Sequence, residues 1–172
     1  MDAAELRATQ APIKEKYKSD PKAAFITLKA KGSIDNDGIA CKVETGRALA
    51  VAGLHPATGG SGLELCSGDM LLEALVACAG VTLSAVATAM GVTLRGGRVI
   101  AEGHWDARGT LGVDRAVPIG LTDVALTFEL DADADDATLQ RLVEMSERFC
   151  VIYQTLRTPP RLSVAHRIVA GA

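Results

Sequence analysis

The chain has 172 residues, a formal net charge of -3, 48% hydrophobic residues and only 3% aromatic ones. That length fits one compact domain that needs no disulfide or metal staple, and the mildly acidic balance argues against nucleic acid as the main partner. With few rings available, core bulk must come from Leu, Val and Ile, with many Ala and Gly allowing close backbone approach. Met1 to Glu5 shows no basic segment followed by an apolar run, so no secretory signal is expected and the chain reads as cytoplasmic.

Residues 3–17 combine Ala, Leu, Glu and Lys and predict a helix that stops near Asp20-Pro21. Its Lys14, Lys16 and Lys18 alternate with Glu15 and Asp20, the composition of a solvated face. Ala24 to Ala30 alternates and reads as a strand; Asn36-Asp37-Gly38 is a turn signal, and Ile39 to Glu44 resumes a strand. Ala48 to Ala52 suggests another strand, and His55 to Gly62 a loop in which Gly59-Gly60 permits a sharp turn or a close approach.

A long apolar helix is expected over 70–90, with Ser67 as N-cap, Asp69 in the first turn and Gly91 as terminator. It is apolar almost all round, so it should be central and enclosed. Its longest apolar run, 74–89, is short for a membrane span and carries Gly80, Thr82, Ser84 and Thr88, so no membrane partner is expected. Val92 to Asp106 reads as a long strand interrupted at Gly96-Gly97, with Leu121 to Leu130 as its antiparallel partner. An acidic loop, 131–136, feeds a second helix over 136–157, whose apolar stripe includes Leu139, Leu142, Val143, Phe149, Cys150, Tyr153 and Leu156. Pro159-Pro160 stops it, and Leu162 to Val169 predicts a closing strand. The order is α+β rather than alternating βα units.

Cys41, Cys66, Cys78 and Cys150 have no CxxC zinc spacing, and a cytosolic chain has no need of a structural disulfide. His55, His104 and His166 have no metal spacing either, so no metal or other cofactor is expected. Cys78 lies in the apolar helix and Cys150 on the apolar stripe of the second, so the two sulfurs can meet where these helices pack. From periodicity alone they read more readily as inert buried thiols. As a reactive pair they suit peroxide reduction: one thiolate takes the peroxide oxygen, and the second thiol condenses with the sulfenic acid. Cys41 reads as a core residue, Cys66 as an incidental thiol, and Trp105 as a packing residue.

The segment Gly68-Asp69-Met70-Leu71-Leu72-Glu73-Ala74-Leu75-Val76-Ala77-Cys78 resembles the first cysteine motif of the OsmC/Ohr family. Gly59-Gly60 is similar to its Gly-Gly loop, and Glu147-Arg148-Phe149-Cys150-Val151-Ile152-Tyr153-Gln154-Thr155-Leu156 resembles its second motif. The likeness spans roughly 24–169, so residues 1–20 form a helical extension to a single OsmC-like domain. Val151 stands where the family usually has Pro, and Ser146-Glu147 where the Ohr branch has Ala-His, which places the chain nearer the OsmC-like branch. The resemblance implies antiparallel sheets around two central Cys-bearing helices in an intertwined homodimer. It implies an organic hydroperoxide reductase in which Cys78 attacks and Cys150 resolves, with a dithiol reductant such as a lipoylated protein.

The family also activates its cysteine with an Arg held by a carboxylate. Asp69 occupies the acidic position, equally readable as a helix N-terminal charge. Arg47, the only Arg between Arg7 and Arg95, is the best candidate guanidinium, although its local sequence reads more readily as a surface charge. The alternative function is a non-catalytic OsmC-like dimer that binds a small molecule or senses oxidation.

Overall fold

A computed structural model describes residues 3–35, 40–43, 52–63 and 65–166. Helix α1 (Ala3–Ser19) precedes strands β1 (Phe25–Asp35), β2 (Ala40–Val43), β3 (Ala52–Gly53) and β4 (Leu65–Cys66). Then follow α2 (Ser67–Met90), β5 (Leu94–Asp106), the short turn α3 (Ala107–Thr110), β6 (Leu121–Ala132), α4 (Asp136–Phe149) and α5 (Val151–Arg157).

Four strands form an antiparallel sheet in the order β2-β1-β5-β6. Phe25 lies opposite Asp106 and Ser33 opposite Arg98 across β1–β5, and Val99 lies opposite Phe128 across β5–β6. Strand β5 is continuous through Gly96-Gly97, where an interruption was expected; the irregularity is a register shift against β6 between Leu94 and Gly96. The expected turn at Asn36-Asp37-Gly38 lies outside the described residues, as does most of the expected strand 48–52, of which Ala52 opens β3. Strands β3 and β4 pair parallel, a departure from the all-antiparallel expectation.

Helix α2 is 24 residues long and apolar enough to cross a bilayer on length and composition. Here it lies against β1, β2 and β5, with α4 and α5 packed beside it. Leu72, Leu75, Val76 and Ala79 bury against Val99 and Ala101 of β5, and further along Leu83, Val86 and Ala87 bury with Leu142 of α4. Each fully buried Leu or Val stabilises by about 1.5–3 kcal/mol. The helix ends at Gly91 (φ 70°), whose N–H reaches back to the Ala87 and Thr88 carbonyls. Its N-cap is Cys66 rather than the expected Ser67, and no side chain caps it.

The expected single helix 136–157 is two helices. Cys150 adopts φ -72°, ψ 109°, which leaves helical geometry. Its N–H still donates to the Ser146 carbonyl (2.9 Å), and its sulfur accepts from the Tyr153 N–H (3.4 Å), so one residue closes α4 and caps α5. The Gln154 side chain spans the break and donates to the Glu147 carbonyl (2.8 Å), satisfying a group the break would orphan. The expected closing strand 162–169 is absent from its described part: Leu162 to His166 forms no helix and no strand.

Helix α1 braces a turn near the start of α2. The Tyr17 hydroxyl donates to the Ala57 carbonyl (2.8 Å) and the Gln10 amide to that of Thr58 (3.2 Å). The next two residues show why both glycines are required. Gly59 has φ 93°, and a Cβ on Gly60 would overlap the Leu54 carbonyl. Behind this turn Asp106, 3% exposed, holds a two-pronged ion pair with Arg108, Nη2 to Oδ2 at 2.6 Å. The guanidinium, acting above all through those hydrogen bonds, keeps the Asp106 carboxyl below the usual carboxylate range.

Candidate active site

Cys78 and Cys150 meet. Cys78 sits in the middle of α2, one turn after the buried Leu75 and one turn before Thr82. Cys150 is buried in the α4–α5 break, within the same core cluster, and both are free thiols. The break turns the start of α5 toward α2, so the Cys78 sulfur meets peptide N–H groups as well as the second thiol.

The two sulfurs are driven in opposite directions. Burial pushes the Cys78 thiol up, but hydrogen bonds from the Ile152 N–H, the Cys150 thiol, the Thr82 hydroxyl and the Val151 N–H outweigh it, and the net shift is down. Burial pushes Cys150 up to about 11, reinforced by its hydrogen bond to the Cys78 sulfur and by that sulfur's charge. One thiol is thus set to ionise and the other to keep its proton and donate it. Val151, where the family usually has Pro, supplies one of the donors, because a Pro there has no N–H.

An open pocket of about 500 Å³ adjoins the cysteine cluster without being lined by either sulfur; Leu71, Leu75, Tyr153 and Leu156 wall it, with Asp123 and Arg157 among its polar groups. Leu75, Tyr153 and Leu156 also pack in the cysteine cluster. An apolar organic molecule fits such walls.

Asp69 is in the first turn of α2, partly buried, as expected. Glu73, one turn on, was not singled out from the sequence. Desolvation and the Asp69 charge raise its carboxyl above the ordinary value. Among the described residues no Lys or Arg forms an ion pair with either carboxylate. Arg47 lies outside the described residues, so its call as the activating Arg has no structural counterpart here. No described guanidinium contributes to the Cys78 shift. Cys41 is placed in β2, opposite Ile34. Cys66 is partly buried just before α2 and packs against the same cluster as the pair, but it takes no part in the hydrogen bonding of either sulfur. Thr82, Val151 and Ile152 were missed because nothing in a linear motif marks backbone donors or a hydroxyl one turn away.

A model of the family described as OsmC-like protein matches residues 60–165. The fold is similar to the crystal structure of an OsmC-like hydroperoxide resistance protein from Jannaschia sp. CCS1. The TM-score is 0.57 at 18% identity, covering 86% of this chain and 95% of that one. No curated protein matches in sequence. The family match takes in both cysteine segments and most of the chain, and the fold agrees with it: this chain belongs to the OsmC-like family.

Proposed function

We propose that the chain is a cysteine-based organic hydroperoxide reductase. The observation that carries this reading is the pairing of a Cys78 thiol lowered below its ordinary value with an adjacent Cys150 thiol pushed up to about 11. The Cys78 thiolate attacks the terminal oxygen of ROOH, the O–O bond breaks, and the alkoxide leaves as ROH after taking a proton. Cys78 is then a sulfenic acid. Cys150, deprotonating as it attacks, forms the S–S bond and water leaves. A dithiol, in the cell a lipoylated protein, returns both cysteines to thiols. Sulfur carries all the electrons.

Membership of the OsmC-like family and the neighbour's hydroperoxide-resistance title support a peroxide-related activity. The apolar pocket supports an alkyl or aryl hydroperoxide over hydrogen peroxide. Asp69 and Glu73, which pair with no Lys or Arg among the described residues, suit a guanidinium, and Arg47 is the candidate. It would hydrogen-bond the peroxide and strengthen the thiolate.

The working form is a homodimer in the cytoplasm. Phe149 (53% exposed) and Val151 (68%) flank the buried Cys150, and the unpaired tail carries Leu162 (88%) and Val164 (98%). That much apolar surface beside a site is the kind a second chain covers.

The test is steady-state consumption of cumene hydroperoxide with dihydrolipoamide as reductant. Turnover in wild type, abolished in Cys78→Ser, is expected. Asp69→Asn and Arg47→Ala should each lower kcat/KM by about tenfold or more without unfolding the protein. No turnover with any dithiol would remove the enzyme reading and leave the binding or sensing dimer.

A further inference from the structure

A second cavity, of about 410 Å³, lies at the start of α2, where β3 and β4 pair and Trp105 closes one wall. The volume is that of a small-ligand pocket. Among the described residues its lining contains no Lys, Arg, Asp or Glu, which suits a neutral molecule. Three of its apolar residues, Leu54, Leu71 and Ile119, are exposed.

Two reactive groups share this cavity. Cys66 lies directly opposite Gly53 in the β3–β4 ladder, and His55 follows Gly53 by two residues. Although Cys66 is the N-cap of α2, its sulfur makes no capping bond, so the thiol is not engaged by the helix. His55 Nδ1 accepts the Ala57 N–H (3.0 Å), which puts the ring proton of the neutral imidazole on Nε2. Among the described residues no hydrogen bond uses that Nε2–H. The ring is held edge-on to Trp105 with centroids 5.6 Å apart, and Trp105 is itself anchored by donation to Thr110 Oγ1 (3.0 Å).

A nucleophile, a neutral hydrogen-bond donor and apolar walls form a complementary set for an activated alkene. We infer that this cavity is a second reactive site, in which Cys66 adds to neutral α,β-unsaturated ketones and aldehydes carrying an apolar group. The Cys66 sulfur bonds to the β-carbon, and the alkene π pair moves toward the carbonyl oxygen. The His55 Nε2–H stabilises the developing enolate. The proton lost by the thiol finishes on the α-carbon through solvent. The product is a thioether, with no external oxidant or reductant. Neither Cys78 nor Cys150 lines this cavity, although it shares Leu71 and Leu121 with the pocket near that pair, and the proposal stands whether or not the pair turns over peroxide.

The experiment treats the full-length reduced protein with phenyl vinyl ketone and follows adducts at each cysteine by peptide mass spectrometry. Propiophenone, the saturated analogue, serves as competitor. Modification of Cys66 should saturate with probe concentration, and propiophenone should slow it several-fold while leaving Cys78 unaffected. His55→Ala should lower the saturating rate by about tenfold, the value of one lost hydrogen bond to the transition state. A readout independent of that variant's folding is available, because Trp105 is the chain's single tryptophan and lines the cavity. Cys66→Ser should form no adduct there, yet propiophenone should still change its Trp105 fluorescence. A Cys66 rate linear in probe and indifferent to propiophenone would mark an ordinary accessible thiol and overturn the proposal. So would protection of Cys78 in place of Cys66, or unaltered fluorescence in both proteins.

Discussion

The Cys150 thiol donates a hydrogen bond to the Cys78 sulfur across the contact between α2 and the α4–α5 break. This bond stabilises a thiolate on one partner and a thiol on the other, the asymmetry that a nucleophile and a resolving cysteine require.

The asymmetry has a pH signature. Cys78 should alkylate with iodoacetamide at a pH below the roughly 8.5 of a free cysteine, whereas Cys150 should resist until the pH approaches about 11. Stability follows the same sign for Cys150. Its folded value is raised, so its contribution is complete below the unfolded thiol's value and is lost as pH climbs toward about 11. Quantitative mass spectrometry of alkylation against pH checks both residues in one series. Val151→Pro should shift the Cys78 profile upward, because it removes one of the N–H donors.

A second prediction concerns packing behind the pair. Leu75 is buried one turn before Cys78 in the cluster that contains Cys150. Leu75→Ala should cost about 2–5 kcal/mol of unfolding free energy, measured by urea titration at unchanged m-value. It should also broaden the Cys78 alkylation profile, because the cavity loosens the contact that aligns the two sulfurs.

The Asp106–Arg108 pair predicts an acid-side effect. The Asp106 carboxyl is held below its ordinary range, so its contribution is present above the unfolded carboxyl's value and disappears as pH falls through the folded one. Asp106→Asn should lower Tm at neutral pH, with the gap to wild type closing in strong acid. The pair sits where β5 meets α3, under Tyr17 of α1. Deleting residues 1–19 should therefore expose the turn at 56–59 to proteolysis without changing the Cys78 profile.

Association is the fourth prediction. Light scattering coupled to size exclusion should give a dimer at micromolar concentration, with more than about 2,000 Å² buried in total. Val164→Asp, in the exposed tail, should weaken it. A monomer at that concentration would contradict the dimer.

Much of this fold was legible in the sequence. The all-round apolar α2, its stop at Gly91, and the alternation of β5 and β6 each follow from a local period, and the structure keeps them. The break at Cys150 was hidden because the apolar spacing runs on from Leu142 through Tyr153 with no Gly or Pro to mark it. The break is made by tertiary packing and by a sulfur acting as a cap. The tail at 162–166 alternates like a strand but finds no partner within the described chain, and pairing is not a property of one segment. Cys66 seemed incidental because the parallel β3–β4 contact that brings it into one cavity with His55 is two residues long and leaves no pattern. Arg108 likewise pairs with a carboxylate two residues away at a strand end, where no helical or strand spacing predicts it.

The most direct test of the cysteine chemistry is a single turnover. Reduced protein receives one equivalent of cumene hydroperoxide, released cumyl alcohol is measured, and the digest is mapped for disulfides. One equivalent of alcohol and a dominant Cys78–Cys150 link are expected, with Cys150→Ser giving the alcohol but a Cys78 sulfenic acid that overoxidises in excess peroxide. Unconsumed hydroperoxide, or a dominant link through Cys66 or Cys41, would contradict the assignment.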